Sequence, residues 1–488
     1  MPLLSLIGSR VRAELSARAI TSVVGLLLIT ILARLLNPDG YGLLYLTISV
    51  LGVIQLLADL GLKSSNSKYV SEYKEKDISQ VYPIIRASFG ILMILLVSSS
   101  ILIFLARSYI ADLLGEPQLE GLMIIGVVYV ISHSLFSFTR KTLQGLEDIG
   151  STAVLAVIQS VSKFILALGF VVGGLGAIGA LAGYALSALI GFLFGVVLLY
   201  RNHYKIYLVA TEIESGLKRR IVEYSIPVTV TTAGRKLDTR FDTILIGFFL
   251  NPAAVGFYTV AKQVVSFVKT PAKSLGFTIG PTFGAKKGAG ELETASQMFE
   301  KAIVNTLLLY VPAAAGIVLV AEPAITLVFG DDYANAVPVL QILSLYLILI
   351  ASNQIISNAL HYLGRARARA IIRSTTAILN IILNIILIPV FGIVGAAVAT
   401  VITFSLYTIG QTYIIYNELE LQVLYLLQKI LVVILITCVM GAIVYPLTGF
   451  ISGWISLFLV VGVGILVWGV SSIVVGILNP KEVYTALV

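Results

Sequence analysis

Six basic side chains fall inside two stretches that are otherwise apolar enough to cross a membrane. They are Arg235, Lys236 and Arg240 within 221–250, and Lys262, Lys269 and Lys273 within 254–283. A basic group at mid-bilayer costs ~2.5–3.5 kcal/mol even on a lenient scale, so it must face water or protein, or reach an interface. Lys262, Lys269 and Lys273 recur at i, i+7 and i+11 and share one helical face. Arg235, Asp238 and Asp242 share a face of the preceding stretch, which also carries Thr229, Thr231 and Thr232. A helix this polar is expected to line a hydrated cavity rather than to meet lipid. In the first half of the chain, Arg18, Gln55 and Asp59 are the corresponding polar positions. Asp59, Asp238 and Asp242 have two readings: they neutralise nearby bases such as Lys63, Arg235 and Arg240, or they couple movement to a cation such as H+ or Na+. Asn353, Asn380 and Asn384 also lie in apolar stretches, where interhelical hydrogen bonding is one role and contact with sugar hydroxyls the other.

The elements that must position these groups follow from composition. Of 488 residues, 58% are hydrophobic and only 12% charged, with mean hydropathy +0.99. A soluble domain carries about 25% charged residues, so the chain reads as an integral membrane protein. Apolar runs long enough to span a bilayer fall at 15–36, 41–62, 82–105, 119–139, 152–173, 177–200, 221–250, 254–283, 298–329, 335–363, 370–391, 393–416, 425–445 and 453–478. Lysine and arginine accumulate at the N-terminus, after even-numbered runs and in the C-terminal tail, whereas the alternate loops hold only Arg34 and Arg107. That bias predicts fourteen crossings with both termini cytoplasmic, in the plasma or bacterial inner membrane.

Similar turns recur about 215 residues apart. Leu36-Asn37-Pro38 with Gly42 matches Leu250-Asn251-Pro252 with Gly256, and Gly176, Gly179 and Ala180 match Gly392, Gly395 and Ala396. An even number of crossings separates the copies, so both run the same way through the membrane. The expected fold is all-α: two parallel-repeat six-helix bundles around a central cavity, plus two extra C-terminal helices. The boundaries are 1–14 for an interfacial N-terminal segment, 15–200 for the first bundle and 201–220 for a cytoplasmic linker. The second bundle covers 221–416, and helices 13–14 with the tail cover 417–488.

Several function classes drop out. The single cysteine, Cys438, excludes disulfides within the chain, and His133, His203 and His361 show no metal-ligand spacing, so neither a metal nor a cofactor is expected. The net charge of +8 is largely spent on loop orientation and gives no reason to expect nucleic acid. A membrane glycosyltransferase or glycan polymerase would need a substantial outer loop with catalytic groups. The longest outer loop, 106–118, offers only Arg107, Asp112 and Glu116. No catalytic residue is therefore assigned.

Ordered fragments along the whole chain resemble one family. They are Ala33-Arg34-Leu35-Leu36 leading to Gly40-Tyr41-Gly42, then Asp59-Leu60-Gly61-Leu62, and Tyr224-Ser225-Ile226-Pro227. Asp242, Ile246-Gly247 and Val255-Gly256-Phe257-Tyr258 follow, then Phe329-Gly330, Leu363-Gly364-Arg365, Asn380 with Asn384, and Gly392 to Ala397. The pattern resembles the polysaccharide-transport branch of the multidrug/oligosaccharidyl-lipid/polysaccharide exporter superfamily. The resemblance implies a flippase that moves a prenyl-phosphate- or prenyl-pyrophosphate-linked oligosaccharide from the inner to the outer leaflet by alternating access. A lipid-linked anionic oligosaccharide and membrane lipid would then be its partners, and a monomer is expected. Guanidinium and ammonium groups hold phosphate by charge-assisted hydrogen bonds, which makes Arg18, Arg235, Arg240, Lys262, Lys269 and Lys273 the candidate phosphate contacts. Gln55, Asn353, Asn380 and Asn384 become candidate glycan contacts. The alternative within the superfamily is a cation-coupled multidrug exporter, which would favour carboxylates over bases in the cavity.

Overall fold

The computed structural model describes residues 2–209, 211–269, 280 and 282–478. Among them there are helices and no strand, as expected where lipid offers the backbone no hydrogen-bond partner. Nine helices of the described residues are long and apolar enough to cross a bilayer. Large apolar side chains point outward throughout, Leu105 at 73% and Ile455 at 80% exposure among them. So dense an apolar exterior fits lipid and not water.

The helices used below are α1 (Pro2–Asp59), α2 (Leu62–Lys76), α3 (Val81–Leu113), α4 (Gln118–Gly145), α5 (Ile149–Phe170), α6 (Gly176–His203), α7 (Leu217–Phe249) and α8 (Pro252–Val268). They continue with α9 (Leu292–Phe329), α10 (Val337–Tyr362), α11 (Ala366–Glu418), α12 (Val423–Thr448) and α13 (Trp454–Val474). Three of the expected connections shrink almost to nothing. Asn37 (φ 54°) alone breaks α1 ahead of Pro38, Gly392 alone breaks α11, and Gly174 to Gly176 separate α5 from α6. Gly176 (φ 52°, ψ −140°) and Gly392 (φ 60°, ψ −142°) have almost the same backbone conformation.

The chain divides into two compact units, 1–256 and 257–488, and the division falls inside α8 after its first turn. α7 therefore packs with the first unit, although the sequence repeat begins the second bundle at 221. One reason is the reciprocal fit of the two Asn-Pro turns. A Cβ on Gly42 would collide with the carbonyl of Pro252, and a Cβ on Gly256 would collide with the carbonyl of Pro38. Asn251 caps the following helix, its Oδ1 accepting from the Ala254 amide at 2.8 Å. In the second unit Phe283, Phe299, Ile355, Leu360, Ile415 and Leu419 share a buried core. The added helices α12 and α13 pack on α9, with Trp468 donating to the Leu308 carbonyl at 2.9 Å.

Candidate functional site: a charged network beside a polar cavity

Asp59 closes α1, and the chain reverses through Leu60 and Gly61, both at positive φ. Glycine is required at 61, because a Cβ there would stand 2.5 Å from the Ser225 carbonyl and 2.9 Å from Thr229 Oγ1 of α7. The tight turn brings Lys63 back over Asp59, and the two pair at 2.6 Å with side-chain exposures of 13% and 14%. The other carboxylate oxygen accepts from Ser134 of α4 at 2.8 Å. Gln55, one turn earlier on α1, donates its amide to Ser134 at 3.2 Å and meets His133 Nδ1 at 2.7 Å. The result is a hydrogen-bonded chain Lys63–Asp59–Ser134–Gln55–His133 that ties α1, α2 and α4 together. Tyr129 lies against the His133 ring, 5.5 Å between centroids.

This chain borders a cavity of about 200 Å3. α2 contributes Lys63 and Ser64, α4 contributes Ser137 and Lys141, and α7 contributes Thr229, Thr232 and Lys236. The spacing explains the convergence. Ser134, Ser137 and Lys141 recur at i, i+3 and i+7 along α4, and Thr229, Thr232 and Lys236 do the same along α7, so each helix turns one polar stripe inward. Arg240 lies further along α7 with its guanidinium stem against Gly52 of α1.

The sequence-expected residues are placed as follows. Asp59 and Gln55 meet in the network just described. Arg18 is exposed on α1 and pairs with Glu14 at 2.9 Å. Asp242 is buried on α7. Arg235 and Asp238 lie on α7, but their side chains fall outside the described set. In the second unit, Lys262 sits over the Tyr258 ring at 5.2 Å and Lys269 is half-buried at the end of α8. Lys273 lies outside the described residues. Asn353 binds Thr408 and accepts from Gln411, Asn380 donates to Thr403, and Asn384 donates to Asn380, all buried. Sequence reasoning did not single out Ser134, Ser137, His133, Lys63 or Lys141 as site residues. The orientation rule groups Lys63 and Lys141 with the loop charges, and the matched Ser/Thr-Lys stripes of α4 and α7 are the sequence signal that points to the cavity.

On the cytoplasmic side expected for α2, Tyr73 donates to Glu214 at 2.6 Å and Arg220 reaches both. The Tyr73 hydroxyl, with help from Arg220, holds the Glu214 carboxyl below its ordinary range. Asp148, ahead of α5, accepts from the Ser151 amide and hydroxyl and from Asn202, and contacts His203. Burial alone would raise its pKa, but those bonds outweigh it and bring it below the usual aspartate value.

Fold and site together define a multi-pass, all-helical membrane protein that gathers lysines and hydroxyls around a partly open cavity. A family model described as polysaccharide biosynthesis protein matches residues 13–284, more than half of the chain, and a second, MatE, matches 227–386. The chain belongs to the polysaccharide biosynthesis protein family, in the exporter superfamily to which its sequence fragments pointed. A probable low-salt glycan biosynthesis flippase, Agl15 of Haloferax volcanii, is 29% identical over 383 residues, 78% of this chain and 77% of that protein. The lipopolysaccharide biosynthesis protein WzxC of Escherichia coli is 24% identical over 413 residues, 83% of this chain and 79% of that one. Among solved structures, the inward closed conformation of the lipid II flippase MurJ superposes with a TM-score of 0.75 at 15% identity, covering 94% of this chain and 97% of that one. That likeness concerns the fold.

Proposed function

We propose that the chain is a flippase that carries a prenyl-(pyro)phosphate-linked oligosaccharide from the inner to the outer leaflet for polysaccharide or glycan export. It is a transporter and not a catalyst. The observation that carries this reading is the charged network and the cavity it borders, held among helices that turn large apolar side chains outward. Desolvated charges cost several kcal/mol each, a cost that makes sense where an anionic, heavily hydroxylated substrate must pass. Family membership and the flippase relative support the same reading.

The topology in this proposal is fourteen crossings with both ends cytoplasmic. Three of the nine apolar segments, Glu14–Asp59, Ile149–His203 and Ala366–Glu418, are long enough to cross twice. Their breaks fall at Asn37, Gly174 to Gly176 and Gly392. α7 and α8 supply the remaining two. The shared conformation of Gly176 and Gly392 supports two parallel repeats, 15–200 and 221–416, rocking about a common axis. Arg18, Arg235, Arg240, Lys262, Lys269 and Lys273 are the candidate contacts for the anionic head. Asp59, Asp238 and Asp242 balance that charge or couple it to H+ or Na+. The protein works as a monomer.

The interlocked turns act as the closed outer gate: alternating access must separate Gly42 from Pro252 and Gly256 from Pro38. Gly42→Val or Gly256→Val wedges these turns apart, so flipping is lost while insertion persists. Wild-type transport in both variants would remove the interlock from the mechanism.

Reconstitution in liposomes with lipid-linked oligosaccharides, scoring outer-leaflet glycan with and without an ion gradient, tests the function itself. The MatE match over 227–386 favours one competing reading, a cation-coupled drug exporter. Drug resistance conferred on transporter-deficient cells, with no glycan movement in liposomes, would establish that reading instead.

A further inference from the structure

We infer that the groove between the start of α3 and the chain leading into α7 holds one anionic membrane phospholipid, whose phosphodiester head group carries free hydroxyls. Arg86, Gly90, Ile91 and Ile94 of α3, Glu212 of the linker and Lys218 of α7 line about 730 Å3 of space there. The groove lies within the first unit and shares no lining residue with the cavity beside Asp59 and Lys63. It does not depend on the flippase reading.

The linker forms one wall, and side chains pin it in place. Gln80, just ahead of α3, donates its amide to the Glu212 carbonyl at 2.8 Å and to Thr211 Oγ1 at 2.9 Å. Its own carbonyl accepts from the Glu214 amide at 2.8 Å, while Tyr73 and Arg220 hold the Glu214 carboxylate. The segment facing the start of α3 is thus fixed, and the groove is a built feature of the fold. Gln80 also sets which end is polar. It anchors 211–214 beside the first turn of α3, which gathers Arg86, Lys218 and Glu212 at that end, all three exposed. Neither base nor the Glu212 carboxylate has a side-chain partner among the described residues.

Two bases against one carboxylate leave one positive charge, which a single phosphodiester neutralises. The carboxylate is then the acceptor for head-group hydroxyls, such as those of glycerol. An ammonium head group would also suit Glu212, but it adds a positive charge and leaves the excess uncompensated. The other end is apolar. Arg86, Gly90 and Ile94 recur at i, i+4 and i+8, so one face of α3 passes from charge to hydrocarbon within about 12 Å. Gly90 leaves the floor open, with nothing within 4 Å of where a Cβ would stand. Ile94, Val97 and Ile101 continue the same face at 68%, 55% and 54% exposure. An acyl chain can follow that track into the bilayer while its phosphate stays between Arg86 and Lys218. A free phosphate would use the first end only. Basic pockets at the cytoplasmic ends of membrane helices take up anionic head groups, and the start of α3 is expected on that side. One head group would bridge α3 to α7.

Native mass spectrometry of the purified full chain in detergent, titrated with phosphatidylglycerol, phosphatidylethanolamine and phosphatidylcholine, tests the site. Phosphatidylglycerol should be retained more tightly than either zwitterionic lipid and should raise the melting temperature. Arg86→Gln and Lys218→Gln should each weaken retention about fivefold, the worth of one base near a membrane surface, and Lys218→Arg should keep it. Gly90→Phe fills the floor without changing charge and should weaken retention as well. Arg219→Gln is the control. Arg219 adjoins Lys218 but pairs with Glu223 at 2.6 Å and does not line the groove, so its loss should change nothing. Wild-type melting temperatures in lipid-free detergent show that the variants fold. Equal losses in Arg219→Gln and Lys218→Gln would overturn the site in favour of diffuse surface attraction. Equal retention of phosphatidylethanolamine would overturn the head-group assignment. Displacement of the lipid by equimolar glycerol phosphate or inorganic phosphate would make this a site for free phosphate and overturn the acyl track. Preferential displacement by a prenyl-phosphate-linked oligosaccharide would make it a substrate site and overturn the assignment to bulk lipid. None of these readouts involves glycan movement, so failure of the flippase reading would leave the site standing.

Discussion

Each unit buries a polar network inside apolar helices, and the two networks are built from different chemistry. In the first, Lys63, Asp59, Ser134, Gln55 and His133 form a chain that includes an ion pair and borders a cavity. In the second, Asn353, Thr408, Gln411 and Ser357 join α10 to the later arm of α11, while Asn380, Thr403 and Asn384 join the two arms of α11. These latter groups are all neutral and bond to one another, and none borders the cavity. Neutral amides inside a membrane hold helices together at modest cost, about 0.6 kcal/mol of net gain per bond on average. Charges cost far more to bury and are tolerated where something must be bound or moved. We propose from this difference that the first network handles substrate, and that Asn353, Asn380 and Asn384 take the helix-bonding role of their two readings rather than glycan contact.

The contrast is broken most severely at Asp59. Asp59→Asn removes the counter-charge of Lys63 and leaves an ammonium stranded at low exposure. The expected loss is about 3 kcal/mol, read as a lower melting temperature in detergent, together with loss of flipping. The double change Asp59→Leu with Lys63→Met should regain most of the stability and none of the transport. If the double variant transports, the charged network is scaffold after all.

In the neutral network the expected effect is smaller and of another kind. Asn353→Ala strands the Gln411 amide, while the Thr408 hydroxyl keeps its bond to the Phe404 carbonyl, at a cost of about 1–3 kcal/mol. Replacing Asn353 and Gln411 together by leucine removes both amides and leaves only the Ser357 hydroxyl without its Gln411 acceptor, so the loss should be smaller than in Asn353→Ala. Transport per folded molecule stays at the wild-type level in both variants. A selective loss of transport in a double variant of normal stability would return these amides to glycan contact.

Much of this contrast was legible in the sequence, and the missing part has a physical reason. The Asn37-Pro38 and Asn251-Pro252 turns and the Gly176 and Gly392 breaks announce themselves, because proline and glycine act locally. The pairing of Asp59 with Lys63 was also readable from their closeness in sequence, although the contact is made across the tight Leu60-Gly61 turn and not along a helix. Ser134 and His133 were not, because they reach Gln55 and Asp59 only through the packing of α4 on α1, some 75 residues away in sequence. Lys63 and Lys141 were hidden by a correct generalisation: basic residues beside spans usually report orientation, and nothing local separates those that also turn inward. Lys262 is a local case: its shared face with Lys269 and its contact with Tyr258, one turn earlier on α8, both follow from helical spacing.

The smallest effect sharpens the comparison from outside the membrane. Asp148 is a charged group with several partners, like Asp59, but it caps α5 near the aqueous edge. Its loss should cost only what a helix cap costs, about 1 kcal/mol, and should leave transport intact. The pH dependence follows from the direction of its shift. Its folded pKa lies below the ordinary aspartate value, so its contribution is complete above that ordinary value and fades as pH falls toward the lower folded one. Wild type and Asp148→Asn should therefore differ by a constant amount in melting temperature at neutral pH and converge only in acid, below the usual carboxylate range. Convergence already near neutrality would mean that the bonds from Ser151 and Asn202 do not sustain the cap. Asp59→Asn carries the penalty of a stranded lysine instead, so its deficit should exceed that of Asp148→Asn at every pH where Lys63 is charged. A buried ion is thus separated from a solvated one by the size of the loss and by its dependence on acid.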